Sequence, residues 1–364
     1  MKKEKRNLKP LGVKVIDYLV DKFPSWIEKL GPYSDMILFS KVSLYRNLGG
    51  YKFNFKNSEK EKEEILELLR EGFSALPLFE NIIFLRELNN NERQFLMERE
   101  FISKDCLKNF HFVGLGLDAS QEKICVLNGK EHVEISCFCP ELLVRDAYTE
   151  CDRLDDELNE EFGFAYDEEL GFLTSSIEKL GTGMIVSSVV HLPALVITGE
   201  IVEVIEDIED SLFHIEGIFN IEENVAGSYF RISNRFTLGI SEEEILDLFE
   251  GKIKDVIKEE VASREYLTQK AGYETEDKIC RSYGILENAR MLSINEFLNL
   301  SSAVRLGLSL GIIKDINIKE LNKWILQALP GYIRVLNPEI NDIKEENIVR
   351  AKLIRSNLGG EKCS

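Results

Sequence analysis

The chain has 364 residues, with 45 Lys and Arg against 64 Asp and Glu, a formal net charge of −19. That charge repels phosphate backbones and anionic lipid, so neither nucleic acid nor a membrane surface is an expected partner. Apolar residues make up 44% and charged residues 30%, which fits a globular chain of two or three domains and excludes a disordered one. No run of about 18 apolar residues offers a membrane span.

The opening MKKEKRNLKPLGVKV is basic, but Asp17, Asp21 and Lys22 interrupt any apolar stretch after it. It reads as a solvated tail and not a signal peptide. Ser58 to Phe73 reads as a helix capped by Ser58, with Ile65, Leu68, Leu69 and Phe73 on its apolar face. Ile82 to Leu88 reads as a strand, and a helix follows from Asn91 to Met97. Ile124–Asn128 and His132–Phe138 read as strands flanking Asn128-Gly129, a hairpin signal because both residues tolerate positive φ. Glu141 to Phe162 is a long amphipathic helix, and Met184 to Ile197 a buried strand with its exit. A helix over Thr198–Ser211 and strands over Leu212–Phe219 and Ser228–Ser233 come next. Ser241 to Glu244 is a capping box opening a helix to about Glu260.

Beyond that point only helices are expected, around Ile285–Met291, Ile294–Leu308, Ile318–Leu329 and Lys344–Ser356. The fold class is therefore α+β, an antiparallel sheet flanked by helices, followed by an all-helical C-terminal domain. The division is placed at 1–258 and 259–364, beside the polar stretch SREYLTQKAGYETEDK. The stretch LNLSSAVRLGLSLGII (298–313) carries more apolar surface than one helix needs, which points to a homodimer through the helical part. Seven scattered cysteines, Cys106, Cys125, Cys137, Cys139, Cys151, Cys280 and Cys363, fit reduced thiols in the cytoplasm. Cys137 and Cys139 lack the second pair that a zinc site needs.

Short motifs say little. No phosphate-binding Gly-rich loop, zinc-protease helix or serine elbow is present, and His111, His132, His191 and His214 are scattered. Three longer strings say more. They are DEELGFLTSSIEKLGTGMIVSSVVHLPALVITGEI (167–201), GSYFRISNRFTLGISEEEI (227–245) and RSYGILENARMLSINEFLNLSSAVRLGLSLGIIKDINIKELN (281–322). Together they resemble the bacterial protein-arginine kinases of the ATP:guanido phosphotransferase family, over about residues 15 to 355.

The resemblance implies a carboxylate that orients and deprotonates a guanidinium, a cysteine beside it, and about five arginines with Mg²⁺ around the triphosphate. The family string S-S-R-[IV]-R-L-A-R-N-L aligns with Phe39-Ser40-Lys41-Val42-Ser43-Leu44-Tyr45-Arg46-Asn47-Leu48, so two phosphate arginines become Lys41 and Ser43. N-E-E-D-H-L-R aligns with residues 128–134. Gly129 and Lys130 replace the catalytic glutamates, Glu131 stands at the Asp position, and Glu134 replaces a nucleotide arginine. In the following strings Ser176 replaces the cysteine and Ile185 an arginine, while Ser187 is kept. Glu216 replaces the arginine and Ile221 the glutamate of R-G-I-Y-G-E. Glu100 stands where the family has a histidine, and His191, which the family places beside adenine, is kept. Of a phosphoarginine pocket in the last helix only Arg350 and Ala351 remain.

The five arginine positions thus carry Lys41, Ser43, Glu134, Ile185 and Glu216, a net charge of one negative. A like-charge contact at 4 Å costs roughly 4 kcal/mol at an effective dielectric of ~20, so glutamates against a triphosphate oppose ATP binding. The expected function is that of a family member with eroded sites, a regulatory pseudokinase or adaptor. The resemblance places it in stress response and Clp-linked quality control, with a zinc-binding activator protein and Clp protease components as partners. No cofactor is expected; ATP and Mg²⁺ enter only if activity is retained. The alternatives are phosphotransfer with Glu131, Glu222 or Glu223 as base and Lys41 as phosphate contact, or a pocket for a cationic ligand.

Overall fold

Eight antiparallel strands form one sheet: β1 (Ile37–Arg46), β2 (Asn81–Phe84), β3 (Gly114–Leu117), β4 (Lys123–Leu127), β5 (Val133–Cys139), β6 (Met184–His191), β7 (Phe213–Gly217) and β8 (Tyr229–Asn234). Their spatial order is β2-β3-β4-β5-β1-β6-β8-β7. The computed structural model describes residues 15–359 except 75, 77, 80, 219, 222 and 223. The basic N-terminal tail, Glu222, Glu223 and Cys363 lie outside the described residues.

β1 sits at the centre, so its alternation decides both faces. Val42 and Leu44 point into a core shared with α2 (Glu59–Phe73), α5 (Val144–Phe162), α7 (Ile201–Glu209) and α8 (Glu242–Lys270). Lys41, Ser43 and Tyr45 take the opposite face. That face continues into a second core around Phe39, Phe138 and Val189, shared with α1 (Val15–Asp21) and α3 (Asn90–Glu98). Two shorter helices, α4 (Lys104–Lys108) and α6 (Pro193–Thr198), join strands at the edges. The last helices are α9 (Gly272–Asn288), α10 (Ile294–Ser309), α11 (Ile318–Ala328), α12 (Pro330–Leu336) and α13 (Ile343–Asn357).

Capping boxes start α2 at Ser58 and Glu61 and α8 at Ser241 and Glu244, as the sequence leads one to expect. α8 does not stop near Glu260 but runs to Lys270, through the expected domain division. The reason is Glu260, a fully buried side chain. Its carboxylate accepts the N–H groups of Ala194 and Leu195 at 3.2 and 3.1 Å, at the start of α6, and pairs with Arg264 at 2.7 Å. These are helix N-terminal donors with no partner inside α6, so the carboxylate satisfies them from outside.

The second part of the chain docks on the sheet through α10. His191 Nε2 lies 2.7 Å from Ser302 Oγ, and Arg305 donates to the carbonyl of Asp35 at 2.9 Å and to Asn322 at 2.6 Å. Gly227, at φ 73°, lets the backbone pass α10; a Cβ there would sit 2.9 Å from the Leu298 carbonyl oxygen. Leu298, Ser301, Ser302, Val304, Arg305 and Leu306 are all buried within the protomer. The apolar surplus of residues 298–313 is therefore used inside one chain, and it carries no argument for a dimer.

Candidate functional site

The sheet face holding Lys41 is a polar patch with internal bonding. Ser43 Oγ lies 2.7 Å from Ser136 Oγ, its register partner on β5. Tyr45 donates to Glu134 at 3.4 Å, and Lys179 Nζ lies 3.2 Å from the centre of the Tyr45 ring. Burial and the neighbouring Glu134 push the Tyr45 hydroxyl well above its ordinary range, while burial lowers Lys179. Lys41 stands 5.5 Å over the Phe138 ring. β6 adds Ile185 opposite Ser43 and buried Ser187 opposite Lys41.

Glu100 and Glu216 converge on one cation. Arg231 on β8 pairs with Glu100 at 2.6 Å and with Glu216, its register neighbour on β7, at 3.2 Å. Glu100 reaches it from the end of α3 with φ 64°, a conformation rare outside glycine. Three carboxylates (Glu100, Glu134, Glu216) share this face with three cations (Lys41, Lys179, Arg231), of which Arg231 is ion-paired. The face is balanced, not acidic as a count over the arginine positions alone implies. Arg231 and Lys179 were the missing signals. Arg231 could have been found from period-two spacing on β8, but Lys179 lies outside any strand.

The β4–β5 connection is a five-residue loop, Asn128 to His132, closed by the Asn128 N–H to the His132 carbonyl at 2.7 Å. Only Asn128 takes positive φ, at 59°; Gly129 does not, so the expected tight Asn-Gly turn is absent. Glu131 is 3% exposed and accepts from Asn47 Nδ2 (2.6 Å), Ser175 N–H (2.9 Å) and Ser175 Oγ (2.6 Å). Its oxygens are occupied by structural donors. His132 accepts from the Leu48 N–H at 3.0 Å, and burial pushes it down to about 4.

Arg46 and Asn47 are structural too. Arg46 grips Asp155 on α5 at 2.8 Å and donates to the Tyr45 and Thr182 carbonyls at 3.0 and 2.9 Å, its guanidinium 3.5 Å from the centre of the Phe172 ring. Gly183 makes room for it, since a Cβ there would lie 2.7 Å from the guanidinium.

Beside the loop tip is a cavity of about 550 Å³. Gly129 and Lys130 line it together with Asn54, Lys62, Asp105 and Ser175. Asp105 is the one acid among its lining residues, and the hydrogen bond from Lys108 at 2.7 Å holds its carboxyl below the ordinary range.

Several expected positions lie elsewhere. Ser40 is fully buried on the face of Val42 and Leu44, bonded to Ser188 and to the Glu141 carbonyl, so it cannot touch a ligand on the Lys41 face. Ser176 bonds Glu178 at 3.1 Å; the preceding residue, Ser175, is the one at the cavity. His191 is fully buried between Tyr229 and Ser302, with no face left for adenine, and burial holds it neutral. Ile221 pairs with Asn224 in a two-residue hairpin. Arg350 is fully buried and donates to the carbonyls of Ala328 (2.7 Å) and Leu292 (2.9 Å), to Asn347 (2.7 Å) and to Glu346. Glu346 also pairs with Arg334, and Ala351 is buried beside this cluster's helix face. Arg350 is a strut for the helical part, fully buried with four of its five N–H donors committed within the chain.

The family model for the ATP:guanido phosphotransferase C-terminal catalytic domain matches residues 63–263, and that for the C-terminal domain of the protein-arginine kinase McsB matches 273–363. The chain is 33% identical over 339 residues to the protein-arginine kinase of Geobacillus sp. WCH70, covering 90% of this chain and 93% of that one. It is 32% identical over 345 residues to the enzyme of Bacillus subtilis 168, covering 94% and 95%. Among solved structures, lombricine kinase matches with a TM-score of 0.55 at 16% identity, over 68% of this chain and 71% of that one. The duplicated taurocyamine kinase of Schistosoma mansoni with bound transition state analog components matches at 0.55 and 17%, over 66% of this chain and 34% of that longer one. These likenesses bear on fold, and the guanidino kinase sheet is the one described above. By sequence over nine-tenths of its length, the chain belongs to the bacterial protein-arginine kinases of the ATP:guanido phosphotransferase family.

Proposed function

We propose that this member of the family acts by binding, as a regulatory pseudokinase or adaptor, and transfers no phosphoryl group. The observation that carries the reading is the loop tip. Gly129 and Lys130 stand where the family's carboxylate pair is expected, and the acids nearby are poor bases. Glu131 is held by three donors, and Asp105 is held ionised by Lys108. A general base needs a pKa near the working pH and free access to its proton.

The nucleotide side supports the same reading. Arg231 is committed to two glutamates, Ile185 offers no donor, and His191 is buried. The residues present do not fit a Mg²⁺-triphosphate, so no step is derived through one. Calorimetric titration with Mg·ATP tests this: no heat of binding is expected at millimolar nucleotide, and a saturable isotherm contradicts it.

By family likeness we place the chain in the cytoplasm, in stress response and Clp-linked protein quality control, with a zinc-binding activator and Clp components as candidate partners. Its phosphotransferase-like part, to residue 258, and its helical part would then be joined within α8. No helix among the described residues is long and apolar enough to cross a membrane. A homodimer is retained as a proposal from the family alone, and light scattering at micromolar concentration reads it directly.

A further inference from the structure

Where β8 leads into α8 the surface folds into a groove of about 520 Å³. Phe213 on β7 and Ile245 on α8 line it and are buried. Leu212, Phe236, Leu238 and Leu248 line it too, yet remain 48, 54, 45 and 46% exposed. Large apolar side chains scattered singly over a surface need no explanation, but four half-exposed ones around a single concavity mark an interaction site. Ile245 and Leu248 stand three apart on α8 and so form one ridge along it.

The charged lining has one sign. Glu244 and Asp247, both exposed on the first turns of α8, line the groove, and no lysine or arginine does. The Ser241 N–H, 2.9 Å from the Glu244 carboxylate, holds that carboxyl below its ordinary range, and Glu244 forms no ion pair among the described residues. The arginines beside the groove are already matched, Arg145 by Glu243 at 2.7 Å and by Asp247, and Arg235 by Glu209 at 3.2 Å.

The backbone decides how a partner can lie. β7 is an edge strand of the sheet. Its Phe213 and Ile215 N–H groups donate to Ser211 Oγ at 3.3 Å and to the Glu209 carboxylate at 2.9 Å, so the chain's own side chains occupy the edge where an added strand would pair. Contact is left to side chains: an apolar trough with acids beside it. That is complementary to a helix with one apolar face flanked by Lys or Arg.

We propose that this groove docks a basic amphipathic helix of a partner protein, its apolar ridge against Phe236, Leu238 and Leu248 and its cations toward Glu244 and Asp247. The inference goes beyond the binding reading above and does not depend on it, because the groove shares no residue with the loop-tip cavity or the Lys41 face.

The test is fluorescence anisotropy of the full chain with a labelled peptide of leucine and lysine, about five helical turns long, its leucines at i, i+3, i+4 and i+7 spacing. One control peptide alternates leucine and lysine; another keeps the helical spacing with glutamate in place of lysine. The basic helical peptide should bind saturably, and more weakly at physiological than at low salt. Both controls should bind at least about tenfold more weakly. Leu248→Lys should weaken the basic peptide about tenfold or more, with the unfolding midpoint kept, while Leu68→Lys, at an exposed site on α2, should not. Bound peptide should also slow hydrogen exchange over residues 236–248. No saturable binding, a control peptide bound equally well, affinity indifferent to Leu248→Lys, or protection confined to other segments overturns the proposal. So does a Leu248→Lys chain of lower mass than the parent in light scattering, which assigns the groove to a second copy. Octylamine displacing the peptide at equal concentration overturns it as well, in favour of a small amphiphile.

Discussion

Arg231 and Glu131 show how far a residue's meaning depends on its neighbours. Glu100 and Glu216, taken alone, are charge reversals against a nucleotide. Beside Arg231 they are two arms of one ion cluster, two-thirds or more withdrawn from water at Arg231 and Glu100. Removing the shared cation should strand both carboxylates. Arg231→Ala is expected to cost ~1–3 kcal/mol in urea unfolding, and less when Glu216→Gln is made with it. Equal costs in the two backgrounds would break the coupling argument.

Glu131 carries a second residue-scale prediction. Its carboxylate ties Asn47 on the β1 exit to Ser175, so Glu131→Ala should lose ~2–4 kcal/mol by leaving buried donors unsatisfied. A surrogate catalytic base would be indifferent to stability and decisive for chemistry; the structure assigns Glu131 the reverse. That role was not legible from spacing, because the partners are 84 and 44 residues away.

At the scale of elements, most helices and strands were legible from periodicity and caps. Ser58, Ser241 and the alternation along β5 and β8 sufficed for α2, α8 and their sheet neighbours. The misses have tertiary causes. α8 continues past Glu260 because Arg264 and the start of α6 hold that carboxylate in place. The expected strand to Leu88 ends at Phe84, where the chain turns into a short 3₁₀ segment, Leu85–Glu87. No helix is expected over α12 from the sequence, yet Pro330 sits at its first turn, where a missing N–H costs nothing.

The contact between α3 and α12 also carries a pH dependence. Gly331 can approach α3 only without a side chain, since a Cβ would lie 2.6 Å from the Phe95 nitrogen, and its N–H donates to Glu98 at 2.7 Å. Burial lifts the Glu98 carboxyl to about 7. The folded chain holds this proton more tightly than the unfolded chain, so the group's contribution is full below the ordinary glutamate range. It is lost as pH rises through about 7. Glu98→Gln keeps the acceptor for Gly331 and should flatten that decline, leaving the variant more stable than the parent at pH ~8 but not at pH ~5. Urea unfolding at both pH values checks it; parallel pH profiles would contradict the assignment.

Across the whole molecule, the sheet is covered on one side by α2, α5, α7 and α8 and on the other by α10 and its neighbours. The family's scaffold and the docking of the helical part were legible in long strings such as RSYGIL and RLGLSLG. Their partners were not, because His191 to Ser302 and Arg305 to Asp35 join segments more than a hundred residues apart. The same strings led to a dimer surface that the protomer uses itself. On the proposed function, this intact scaffold no longer transfers a phosphoryl group. The direct measurement is acid-avoiding mass spectrometry of protein clients after incubation of the purified chain with Mg·ATP. No phosphoarginine above a reaction without the chain is expected. Phosphoarginine on any client, lost when Asp105 or Glu131 is replaced, would contradict it.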